Sequence, residues 1–107
     1  MAADPVGPVF AALADPTRRA VLAMVGREGP LTATELATHF PVTRQAVAKH
    51  LDTLTEAGLV TSARDGRAVR YRLHAGALDV AAHWMVAVGD AWDHRLRALE
   101  RRARTLT

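Results

Sequence analysis

The sequence predicts a mainly α-helical domain with one small β-hairpin, in the order α-α-α-α-β-β-α. Three observations predict it. Apolar residues recur at helical spacing in five stretches. The period shortens to two around an Asp-Gly pair between Leu59 and Leu73. Proline, glycine and capping residues, rather than long linkers, separate the stretches.

The first helix is expected over about Val6 to Ala14, with Val9, Phe10 and Leu13 on one face. Asp15-Pro16 restarts the chain, since Asp suits an N-cap and Pro the first helical position. The second helix should run to about Val25, burying Ala20, Val21, Met24 and Val25, before "GREGP" breaks it. Thr32 and Glu35 have capping-box spacing and open a short helix with Leu36, Ala37 and Phe40 inward, stopped by Pro41. Thr43 can cap the next helix, which carries Val47, Leu51 and Leu54 and ends at a C′ glycine, Gly58. Two short helices joined tightly, the second more polar outside, form a helix-turn-helix pattern over about 33–57.

"LVTSA", "RDGR" and "AVRYRLH" then read as a hairpin over about 59–73, turning at Asp65-Gly66. Val69, Tyr71 and Leu73 share one strand face, Arg70 and Arg72 the other. From about 77 to 104 one long helix places Ala81, Met85, Val88, Trp92, Leu96 and Leu99 on an apolar stripe.

The 107 residues fit a single domain, residues 1–107, with no internal repeat. Half the residues are hydrophobic and 23% charged, the balance of a folded globule. The net charge of +3 is uneven. Residues 44–73 hold six basic and three acidic side chains, whereas residues 1–43 hold three and four. That central excess suits a polyanionic partner. The absence of cysteine excludes disulfides and thiolate metal sites. No apolar run approaches the roughly 18 residues of a membrane span, and no leader pattern opens the chain. A cytoplasmic protein with no membrane partner is expected.

On a helical wheel Gln45, Ala48, Lys49 and Asp52 lie opposite Val47, Leu51 and Leu54, with Arg44 and His50 on the flanks. Arg, Gln and Lys hydrogen-bond base edges or phosphates, and a small residue such as Ala48 lets a helix approach the major groove closely. Arg64, Arg67, Arg70 and Arg72 make the following hairpin a basic tongue placed to grip phosphates. Together the two pieces favour double-stranded DNA over a merely solvated surface.

With those residues in view, "TRQAVAKHLDTLTEAGLVTSARDGRAVRYRL" and the upstream "ALADPTRRAVLAMV" resemble the winged helix-turn-helix core of the ArsR/SmtB family of bacterial transcriptional repressors. The resemblance covers about residues 9 to 100. It implies a DNA-reading helix with Thr43, Arg44, Gln45, Ala48, Lys49 and His50 at or near DNA, and a wing from Arg64 to Arg72. His50 has a second reading, bonding across to the domain to orient its helix. The resemblance also implies a homodimer built from the first and last helices, drawing on Phe10, Leu13, Met85, Val88, Trp92, Leu96 and Leu99. A two-fold dimer implies a pseudo-palindromic operator with half-sites roughly 34 Å apart.

Many members of that family sense metals, yet the expectation here is no metal and no cofactor. The two-cysteine position aligns with Glu35-Leu36-Ala37-Thr38-His39, which has neither cysteine. The last-helix position keeps His83 and His94 but puts Ala81 and Arg97 where further ligands belong, a poor tetrahedral set. Some 16 Å of helix separates the two histidines, so only pairing across a dimer could use both. Trp84, Trp92 and the residues after them look closer to the metal-independent branch of small, sporulation-delaying autorepressors.

The expected function is therefore a homodimeric, sequence-specific repressor, with its own gene as a candidate target and any effector unidentified. The alternatives are a winged-helix adaptor for an acidic protein and a metal-responsive repressor using His83 and His94. An adaptor does not need Arg44, Gln45 and Lys49 exposed beside Ala48. Catalysis is not expected. The single serine, Ser62, has no His-acid pair beside it, and no phosphate loop or zinc-hydrolase motif is present.

Overall fold

The computed structural model describes residues 4–105. The elements are α1 (Gly7–Ala12), α2 (Pro16–Glu28), β1 (Leu31–Thr32), α3 (Ala33–Ala37), α4 (Arg44–Glu56), β2 (Val60–Asp65), β3 (Ala68–Leu73) and α5 (Ala75–Thr105). The helix order and the hairpin agree with the sequence reading; β1 does not appear in it. Leu31 and Thr32 pair antiparallel with Tyr71 and Arg70, making a three-stranded sheet in the order β1-β3-β2.

Local rules set the helix starts. The Asp15 carboxylate accepts the Arg18 N–H at 2.9 Å and Pro16 takes the first position of α2. Thr32 and Glu35 close a reciprocal capping box on α3. Thr43 Oγ1 accepts the Ala46 N–H at 3.1 Å to cap α4.

The end of α4 is a Schellman arrangement. The Leu59 N–H donates to the Leu54 carbonyl and the Gly58 N–H to that of Thr55, with Gly58 at φ +79°. A methyl at Gly58 would meet only the Ala77 Cβ, at 4.0 Å, so any penalty lies in the backbone conformation. Gly58→Ala is expected to cost about 1–2 kcal/mol and Gly58→Asn less, because Asn tolerates the left-handed region. Urea unfolding checks this; equal costs would remove the backbone explanation.

Beyond shifts of a few residues at other helix ends, three features differ from the sequence reading. First, α2 continues through Gly26 to Glu28. A helical glycine costs about 1 kcal/mol, but Leu73 packs over this one, 3.4 Å from where a Cβ would stand. Second, the inward face of α2 is Val21, Leu22 and Val25 with half-buried Met24, while Ala20 faces outward. Third, Asp65 and Ala68 form the last strand pair, so the turn is Gly66-Arg67 rather than Asp65-Gly66. Gly66 sits at φ +64° and, among the described residues, no non-glycine residue has positive φ, the pattern of a type II′ turn.

One apolar cluster joins Val9 and Ala12 of α1, the inner face of α2, Leu36, the Val47-Leu51-Leu54 stripe of α4, Leu59 and Val60. From α5 it takes in Ala81, the one fully buried residue of that helix. At 31 residues α5 is about 46 Å long and projects from the cluster. The radius of gyration is 19.3 Å, against about 13 Å for a compact chain of this length.

Candidate nucleic-acid interface

The stripe that buries Val47, Leu51 and Leu54 turns the other side of α4 outward. Arg44, Gln45 and Lys49 are exposed there, with Thr43 at the N-cap and Ala48 half-buried between them. Arg44 Nε donates to Thr34 Oγ1 at 2.9 Å, which anchors its side chain to α3. Its two terminal nitrogens remain available for a base edge, in the fork geometry that matches guanine. Thr34 was absent from the sequence reading; no local pattern signals a partner ten residues away on another helix.

A groove runs between this helix and the hairpin, lined by Thr34, Arg44 and Ala48 on one side and Arg67, Val69 and Tyr71 on the other. The structure thus brings the helix residues and the wing tip to one edge. It does not bring all the named residues there. His50 is half-buried and does not line the groove. The Arg18 N–H holds the Asp15 carboxyl below its usual range, with a smaller contribution from His50.

The wing arginines are divided. Directly opposed residues share a sheet face, and the register sets Arg64 opposite Val69 and Arg72 opposite Thr61. Arg64 therefore lies on the Val69-Tyr71 face, Arg70 and Arg72 on the other, and Arg67 at the turn. Arg70 is ion-paired on both sides, Nη1 to Glu35 Oε1 at 3.1 Å and Nε to Asp65 Oδ2 at 3.1 Å. Thr32 hydrogen bonds and the Arg70 charge hold the Glu35 carboxyl below its usual range. Among the described residues Arg64, Arg67 and Arg72 make no ion pair.

Away from this edge, α5 leaves Met85, Val88, Trp92, Leu96 and Leu99 exposed, Trp92 at 57%. Phe10 joins the stripe by stacking edge-on against Trp84, ring centres 5.6 Å apart. Leu13 does not join it; that side chain is half-buried against the core. Trp84 is exposed beside it, as is Val80, which the sequence reading does not include.

A family model described as a helix-turn-helix domain matches residues 13–63. The transcriptional repressor SdpR of Bacillus subtilis (strain 168) is 33% identical over 88 residues, 82% of this chain and 97% of its own length. An ArsR-like transcriptional regulator from Rhodococcus sp. RHA1 superposes with a TM-score of 0.82 at 43% identity, covering 91% of each chain.

The chain belongs to the ArsR family. A homodimeric winged helix-turn-helix domain of Mycobacterium bovis, described as a possible ArsR-family regulator, shares the fold at a TM-score of 0.65 and 23% identity, over 84% of this chain and 92% of that one. ArsR-family membership places the protein among transcriptional regulators and not among enzymes. The likeness to SdpR agrees with the autorepressor-like branch. Where ArsR-type metal sensors carry paired cysteines, half-buried Ala37 and exposed His39 stand. His83 directs Nδ1 at the Asp79 carbonyl, 2.7 Å away. No three His, Cys, Asp or Glu side chains gather as a metal would need, among the described residues. No helix there is long and apolar enough to cross a membrane.

Proposed function

We propose that this ArsR-family protein is a cytoplasmic, homodimeric repressor that reads a pseudo-palindromic operator through α4 and grips the flanking phosphates with its wing. The observation that carries this reading is the exposed Arg44-Gln45-Lys49 surface beside Ala48, with Arg67 across the groove. Gln45 and Arg44 have the chemistry for base edges; Lys49, Arg64, Arg67 and Arg72 have it for phosphates. The apolar α5 stripe supports the dimer, since a row of that size is seldom left in water. Two-fold symmetry then sets the half-sites about one DNA turn apart. The likeness to a repressor over nearly that protein's whole length supports repression, with the protein's own promoter as a candidate target.

A salt series tests it. Four phosphate contacts per subunit give a log–log slope near −7 for the dimer. Gln45→Ala should weaken operator binding by about a hundredfold or more and leave random duplex untouched, since the dimer loses one bidentate base contact of about 1–3 kcal/mol in each half-site. A slope near zero would sink the DNA reading. Equal losses on both duplexes would remove Gln45 as a base reader.

A further inference from the structure

The Arg70 guanidinium joins the two strands of the wing to α3, which is far away in sequence. Nη1 reaches Glu35, 35 residues away at the first turn of α3, while Nε reaches Asp65 on the neighbouring strand. Glu35 Oε1 also accepts the Thr32 N–H, and Thr32 stands opposite Arg70 in the β1–β3 ladder. One carboxylate therefore closes the α3 cap and ties down the base of the wing. The core holds the foot of the hairpin through Val60, Tyr71 and Leu73. Toward the tip the support is thinner: the β1 side of the sheet offers only two residue pairs, and β2 is exposed from Thr61 to Asp65.

Charge argues in the same direction. Arg70 with two carboxylates carries a net charge of −1, so this cluster offers no excess cation to a phosphate. With Nη1 and Nε each donating to a carboxylate, two of its five N–H donors are already committed.

We propose that Arg70 is a positioning residue. With Glu35 and Asp65 it clasps the wing to α3, sets the spacing between Arg67 and the reading face of α4, and makes no phosphate contact itself. The inference rests on the DNA-binding reading and changes what one of its basic residues does. A loosened wing still makes the same phosphate contacts once bound, so losing the clasp lowers affinity without changing how many counterions are released.

The test compares the wild type with Arg70→Gln, Glu35→Gln and the double variant. Gln serves at the third position of a capping box, so Glu35→Gln keeps α3 capped. Amide hydrogen exchange of the free protein reads the wing; a salt series on random duplex reads the contacts. The expected result is faster exchange in β1 and β3 for each single variant and no further gain in the double. Arg70→Gln should bind roughly tenfold more weakly with an unchanged slope. A slope flattened by about two for the dimer would make Arg70 a phosphate ligand and overturn the proposal. Unchanged exchange in both single variants would overturn it equally. Wild-type protein that fails to bind DNA would instead sink the DNA reading, while the exchange arm still judged the clasp.

Discussion

Trp92→Asp is expected to yield a monomer whose operator affinity is at least about a hundredfold below that of the wild type. Trp92 is more than half exposed in one protomer and sits mid-stripe between Val88 and Leu96. Burying a large apolar side chain contributes about 1.5–3 kcal/mol. A two-fold interface counts each substitution twice, so about 3–6 kcal/mol of dimer stability is at stake, before the cost of burying a carboxylate. DNA affinity falls with it, because a monomer holds one half-site. Sedimentation at a range of concentrations is the check. A variant that remains dimeric would show that the two chains meet elsewhere. In the wild type the same surface should make the melting temperature rise with protein concentration, as mass action requires of a folded dimer.

Leu51→Ala is the second large effect. Leu51 is fully buried between Val47 and Leu54, where α4 meets the rest of the core. Removing a buried leucine side chain costs about 2–5 kcal/mol, a large share of the roughly 5–15 kcal/mol that holds a domain of this size. The urea midpoint should fall steeply. DNA binding should weaken too, because Leu51 seats the reading helix on the side opposite Lys49. A loss below about 1 kcal/mol would mean that α4 is held mainly by its neighbours on α2 and α3.

The features legible in the sequence are those that short-range chemistry dictates. Asp15, Thr32 with Glu35, and Thr43 cap their helices because each needs only a backbone N–H three residues on. Gly58 ends α4 because its φ of +79° lies in the left-handed region that glycine enters freely. The α4 stripe was legible because its apolar spacing matches the helical repeat. What the sequence hid depends on distant partners. β1 has two residues, too few to show a period, and exists through its pairing with β3. Gly26 stays helical because Leu73, far along the chain, covers it.

The same division runs through the site. The identity of the basic residues was plain, but not their surroundings. Arg70 and Arg72 look equivalent on one strand face, yet Arg70 alone lies within reach of Glu35 and Asp65. Wheel position and family likeness put His50 near DNA or bonding back to its own domain, and Leu13 against a second chain. In the fold both are half-buried, and Leu13 packs on the core. One helical turn leaves the choice between two adjacent faces to whatever packs alongside.

The central claim is sequence-specific reading by a two-fold dimer, and selection of bound duplexes from a random-sequence DNA library tests it most directly. The account predicts an enriched inverted repeat with half-sites about one helical turn apart, and a changed or relaxed motif when Gln45→Ala protein is used. Repeated rounds that enrich no motif, with binding that remains blind to sequence, would contradict it.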